Sequence, residues 1–187
     1  EHILHVIKES GLKGMDCQVS LLGHFINDPI KLRDLYQELD LIPTSLTVPF
    51  TWPEDNLTKE ETERALFFIN FAKTLSDKTK LNIVPRGGKN RDDVVIRRKQ
   101  IMHSANEVAK LGFDNGVICS LHPCSPLNSY IRTKEDYDVM FDLIDDRYLG
   151  WTPDMGHIFY GGMDVLKTIK DHHTLIKPVF DSYLIKN

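Results

Sequence analysis

A carboxylate and an imidazole three residues apart, Asp154-Met155-Gly156-His157, follow the short apolar run Tyr148-Leu149-Gly150-Trp151. At the carboxyl end of a strand, such a pair presents a hard oxygen donor beside a nitrogen that binds a metal ion or contacts a ligand oxygen. Gly156 lets the backbone turn tightly between them. The same spacing also fits a strand-end turn whose histidine is simply hydrogen-bonded, but Gly161-Gly162-Met163-Asp164, opening a further helix, adds weight to the functional reading. Two more polar segments close apolar runs: Leu121-His122-Pro123-Cys124 and Val84-Pro85-Arg86-Gly87-Gly88. Arg86 with its two glycines suits a phosphate or carboxylate through guanidinium and backbone amides, or a plain loop. His122 taken alone reads as a buried, hydrogen-bonded histidine as readily as a ligand. Trp52, close to Phe50, suits either an apolar wall beside a bound ligand or core packing. Cys119 and Cys124 read as core or rim thiols, since nothing in the sequence marks an activated thiolate. His172 and His173 fall at a helix end, where an imidazole interacts favourably with the helix dipole.

These residues need a scaffold, and the hydrophobic pattern supplies one. Short apolar or β-branched runs begin near Gly14, Ser45, Leu81, Gly116, Tyr148 and Leu175, separated by stretches of helical period. Their starts lie about 27 to 36 residues apart, the length of one strand, one helix and two loops. The rhythm predicts six βα steps. Asn27-Asp28-Pro29 caps a segment with Leu32, Leu35, Tyr36 and Leu39 on one face, and Thr58 with Glu61 forms a capping box. Asn90 or Arg91 is expected to open a long helix closed by Gly112, and Thr133 with Asp136 to open another. The charge-rich patch from Arg91 to Lys99 reads as a solvated outer helix face. Such alternation means a parallel sheet covered by helices, closed as a barrel or open and doubly wound. No G-x-G-x-x-G follows the first run, which disfavours a dinucleotide-binding fold and leaves a TIM-type (β/α) barrel as the expected α/β class. A complete eight-fold barrel takes about 250 residues, so six units in 187 residues predict an incomplete ring within one domain spanning 1–187. Ile3, Leu4 and Ile7 keep helical spacing, as if the chain opened in the helix after a missing first strand.

Composition narrows the chemistry. With 41% hydrophobic and 27% charged residues, the chain can bury a substantial core. Its net charge of −4 gives no general field to attract a polyanion, which disfavours nucleic acid as a partner. Three cysteines without C-x-x-C spacing suit reduced thiols in a cytoplasmic compartment, and no apolar run approaches the roughly 20 residues of a membrane helix.

The stretch Gly116 to Ile176 resembles the core of the sugar phosphate isomerase/epimerase family, the xylose isomerase-like barrels that include ketose 3-epimerases and inosose dehydratase. The resemblance rests on an apolar strand ending at His122, a helix start at Thr133-Lys134-Glu135-Asp136, the Asp154-Met155-Gly156-His157 strand end, a Gly-Asp helix start and a further apolar run. Upstream, Gly11-Leu12-Lys13-Gly14-Met15-Asp16 resembles the family's second strand.

The resemblance implies one divalent ion, manganese, cobalt or magnesium with zinc also compatible, held by ligands from four strand ends. Asp154 matches the aspartate ligand, His122 falls at the position of the first ligand, and His157 matches the histidine that contacts substrate oxygen. The implied chemistry is metal-assisted proton transfer next to the carbonyl of a sugar, sugar phosphate or inositol-derived ketone. Isomerisation, epimerisation and dehydration share that step. His157 is then the catalytic residue, with Trp52 and Arg86 as further substrate contacts, and a homo-oligomer is compatible. The sequence departs from the family at Phe180, where a ligand histidine is expected, with Asp181 as a substitute donor. That departure keeps a non-catalytic relative with a decayed metal site as the first rival. An apurinic-site endonuclease, which shares the barrel but uses more His and Glu ligands, is the second.

Overall fold

The computed structural model describes residues 1–177. Five strands form one parallel sheet: β1 (Gly14–Gln18), β2 (Ile42–Phe50), β3 (Lys80–Pro85), β4 (Cys119–Leu121) and β5 (Leu149–Trp151). They neighbour one another in chain order, so every crossover steps in the same direction around the sheet. A doubly wound sheet reverses its strand order at a switch point, whereas a barrel does not. The helices are α1 (His2–Glu9), α2 (Pro29–Glu38), α3 (Lys59–Leu75), α4 (Val94–Asp114), α5 (Lys134–Leu143), α6 (Met155–Tyr160) and α7 (Val165–Asp171). None among the described residues is long and apolar enough to cross a membrane.

The strand pleat sorts side chains into two rows. Leu46, Leu81, Cys119 and Leu149 stand in register, as do Val48, Ile83, Leu121 and Trp151, and all are buried in the core shared with α3, α4 and α5. The alternate row carries Thr47, Asn82, Ser120 and Gly150 in register, so the opposite face is polar and small. Trp52 belongs to the core: it is 2% exposed and stacks on Phe50 with ring centroids 5.3 Å apart.

Local signals set most helix boundaries. Asp28 caps α2 by accepting from the Lys31 amide at 3.1 Å, and reciprocal capping boxes at Thr58/Glu61 and Thr133/Asp136 open α3 and α5. The long helix differs from expectation at both ends. It begins at Val94 rather than near Asn90 and runs past Gly112 to Asp114, with Gly116 taking up a left-handed φ of 77° just beyond it. Gly112 serves packing instead, because a Cβ there would lie 2.4 Å from the Cys119 sulfur. The run expected from Gly116 therefore becomes a strand only at Cys119. The sixth expected strand also changes: Leu175 ends a 3-10 turn, His173–Leu175, while Pro178, Val179, Phe180 and Asp181 lie outside the described residues.

The patch from Arg91 to Lys99 is less solvated than its charge suggests. Arg91 and Arg98 both pair with the Asp136 carboxylate, at 2.7 and 3.1 Å, and Arg97 donates to the Trp52 carbonyl. Asp136 is 1% exposed and also accepts from the Arg132 and Thr133 amides and the Thr133 hydroxyl. Burial acts to raise its pKa, but these donors and Arg91 outweigh burial and hold the carboxyl below its ordinary value. The stabilisation from that depressed pKa is present above the unfolded carboxylate pKa of about 3.9 and is lost as pH falls through the lower folded value. Asp136→Ala should therefore destabilise the fold by about 3–5 kcal/mol in urea unfolding at neutral pH, because two partly buried guanidinium groups and the amides around a buried carboxylate lose their partner. The gap from the parent chain should narrow below about pH 4. Equal stability at neutral pH would remove Asp136 from this role.

Candidate active site at the strand ends

The sheet ladder continues past the strands and fixes the next residues in space. The Arg86 amide donates to the Phe50 carbonyl at 2.8 Å, the His122 amide to Ile83 at 2.8 Å, and the Thr152 amide to Leu121 at 2.9 Å. Arg86, His122 and Thr152 thus leave β3, β4 and β5 at neighbouring points of one rim. A cavity of about 210 Å³ opens there, and its lining includes Gln18, Thr47, Arg86, His122, Cys124 and His157.

Three possible ligands converge in it. One ligand atom each from His122, Cys124 and His157 lies within 4.8 Å of the other two, and the rings of His122 and His157 stand edge to face with centroids 5.6 Å apart. Burial lowers the His122 pKa, and His157 adds to the effect, while Asp154 and Asp16 act against it. His122 is thereby kept in the neutral form that binds metal. Its Nδ1 is buried with no hydrogen-bond partner among the described residues. Burial and the Asp154 charge raise the Cys124 pKa, with Arg86 acting in the opposite sense.

Asp154 is fixed by a local bond. Its Oδ1 accepts from the His157 amide at 2.9 Å, making it the N-cap of α6. Gly156 leaves room for this cap, since a Cβ there would come within 3.1 Å of the same oxygen. Burial acts to raise the Asp154 pKa, but the His157 amide and the two histidine rings outweigh it and hold the carboxyl below its usual range. It remains an anion facing His122 and His157, although it stands outside the group of three converging ligand atoms.

His157 is oriented from the far side. The Ser125 hydroxyl lies 2.8 Å from its Nδ1, which leaves Nε2 as the ring nitrogen for a ligand. Ser125 is held in turn by Arg132, whose Nε donates to the Ser125 carbonyl at 2.9 Å. The glycines after Arg86 serve packing: a Cβ at Gly87 would meet the Asn128 carbonyl at 2.6 Å, and one at Gly88 the Tyr130 hydroxyl at 2.0 Å. Of the sequence-derived candidates, His122, His157 and Arg86 line the cavity, Asp154 caps the helix beside it, and Trp52 lies in the core. Ser125 was not among those candidates, and Cys124 was read there as a core or rim thiol rather than a ligand. The segment Pro123-Cys124-Ser125 brings both toward His157, and for Ser125 the meeting is across 32 residues, which local pattern does not reveal.

The inner face beneath the cavity is a hydrogen-bonded polar row. The Asp16 carboxylate accepts from Ser45 at 2.7 Å and Thr47 at 2.8 Å, and the Thr152 hydroxyl donates to Asn82 Oδ1 at 2.9 Å.

No family model matches the chain, and no curated protein does either. Solved structures do share its fold. The probable 3-DHS dehydratase AsbF, involved in petrobactin synthesis in Bacillus anthracis, is similar with a TM-score of 0.74 and 15% identity over 94% of this chain and 65% of that one. The IolI protein, solved with a zinc atom, gives a TM-score of 0.74 and 15% identity over 92% and 64%. A sugar phosphate isomerase/epimerase from Parabacteroides distasonis gives 0.66 and 15% over 98% and 75%. The chain spans just under two thirds of the length of the first two. At this identity the likeness is one of fold: the five-stranded parallel sheet matches part of the TIM-type (β/α) barrels of these structures, the fold that the sequence pattern predicts.

The cap and the charge of Asp154 can be separated. Asparagine caps a helix about as well as aspartate, so Asp154→Asn should leave thermal stability nearly unchanged, while Asp154→Ala should cost about 1 kcal/mol. Equal losses in both variants would show that charge rather than capping anchors the segment.

Proposed function

We propose that this chain carries the site of a metal-assisted isomerase, epimerase or dehydratase that moves a proton next to the carbonyl of a small sugar, sugar phosphate or inositol-derived ketone. The convergence of His122, Cys124 and His157 in a cavity at the carboxyl ends of parallel strands carries the reading. Its neighbours in fold include a probable 3-DHS dehydratase, a protein solved with zinc and a sugar phosphate isomerase/epimerase, which supports enzyme chemistry of this class.

The residues fit a divalent ion: His122 is neutral, has a buried ring nitrogen without a partner, and faces the anionic Asp154. We assign His122 and Asp154 to the ion, which when bound supplies polarisation of the substrate carbonyl. His157 hydrogen-bonds the substrate oxygen through Nε2 and answers the negative charge that grows there as a carboxylate base takes the carbon-bound proton. Ser125 holds that imidazole in place. Arg86, on the cavity wall, pairs with a phosphate or carboxylate on the substrate. Gln18 and Thr47 offer hydrogen bonds to substrate hydroxyls.

Incubation with a divalent ion and ketose phosphates or an inosose in deuterated water tests this reading. Deuterium should enter at the carbon next to the carbonyl, followed by nuclear magnetic resonance, and His157→Ala should slow the exchange by about 10²–10⁴-fold. Exchange at the uncatalysed rate with every substrate and ion would reject the proposal.

A further inference from the structure

The sulfur in the cavity bears on which ion the site accepts. Carboxylate and carbonyl oxygens suit magnesium and manganese, whereas a thiolate selects softer ions. Cys124 is half-buried on the cavity wall with its Sγ in the same 4.8 Å group as His122 and His157. Its other contact is weak, a sulfur-to-carbonyl approach of 3.9 Å to His122. Its position is fixed from both sides of the turn: the His122 amide is tied to Ile83 at 2.8 Å, and the Ser125 carbonyl to Arg132. The sulfur is thus carried to the cavity by an anchored segment rather than by a loose loop. The two other cysteines, Cys17 and Cys119, are buried in the core and are not in this group of ligand atoms.

Resting on the proton-transfer site described above, we propose that Cys124 ligates the same ion as His122, so that a nitrogen–sulfur donor pair makes this a zinc or cobalt site rather than a magnesium or manganese site. Binding exchanges the thiol proton for the ion: the S–H bond breaks, the proton leaves to solvent, and the sulfur lone pair forms the metal bond, with no change of oxidation state. His157 keeps its place on the substrate oxygen, which its distance from both donors sets beside the ion.

The test uses the full chain, the metals alone, and spectroscopy rather than turnover. Titration with cobalt(II) should give a near-ultraviolet sulfur-to-cobalt charge-transfer band at one equivalent in the parent chain. The band should vanish in both Cys124→Ser and Cys124→Ala and persist in Cys119→Ser. Competition dialysis should show zinc displacing manganese in the parent. Loss of even an outer partner of a metal ligand costs about 10–100-fold in affinity, so the preference for zinc over manganese should fall at least that far in Cys124→Ser. Tight cobalt binding without the band, or an unchanged zinc preference in both Cys124 variants, would overturn the sulfur assignment while leaving the proton-transfer reading intact. Failure of every divalent ion to bind the parent chain would overturn both.

Discussion

The hydrogen-bond ladder between neighbouring parallel strands is the constraint on which the rest depends. It does not stop at the ends of the regular strands but runs on through the amides of Arg86, His122 and Thr152. Each of these residues leaves the sheet in the same direction and at a comparable height. A parallel sheet with unreversed strand order gathers all carboxyl ends on one side, so the polar groups that follow the strands are brought together whatever their separation in sequence. Arg86 and His157, 71 positions apart, line one cavity for this reason.

A polar inner face carries an energetic cost, because buried donors and acceptors must find partners. Here they find one another: Asp16 serves Ser45 and Thr47, and Asn82 serves Thr152. Lys80, nearly inaccessible on β3, donates to the Lys177 carbonyl. The apolar contribution comes from the opposite row and the helices over it, where Leu46, Val48, Leu81, Ile83, Leu121 and Trp151 are all but inaccessible. One face of the sheet thus secures the fold and the other is left for chemistry, with the rim between Arg86 and His157 as its opening. The Asp136 cluster completes this support by joining the start of α5 to Arg91 and Arg98.

Much of this was legible in the sequence because it is encoded locally. The spacing of apolar runs predicts six βα steps, of which five are strands among the described residues, and the residues Asp28, Thr58 with Glu61, and Thr133 with Asp136 cap the helices as their types require. The grouping of His122 and His157 followed from their places at strand ends. What escaped depends on contacts between distant segments. Gly112 looks like a helix stop but is a packing glycine against Cys119, and Trp52 looks like a wall for a ligand but stacks in the core. The charges of Arg91 and Arg98 look solvated until Asp136 is seen beneath them. Cys124 sits in a polar strand-end segment and reads there as a core or rim thiol; only the segment after β4, seen in three dimensions, brings its sulfur to the histidines.

The central claim is that His122 and His157 serve one site rather than two independent positions. A double-mutant cycle measured by calorimetric titration with zinc in the presence of a carboxylate-bearing ketose tests it most directly. In a shared site, His122→Ala and His157→Ala each weaken formation of the ternary complex, and the double variant falls well short of the sum of the two losses, because the first substitution already disrupts what the second would remove. Losses that add within about 0.5 kcal/mol would contradict the account, since sites without shared partners behave that way.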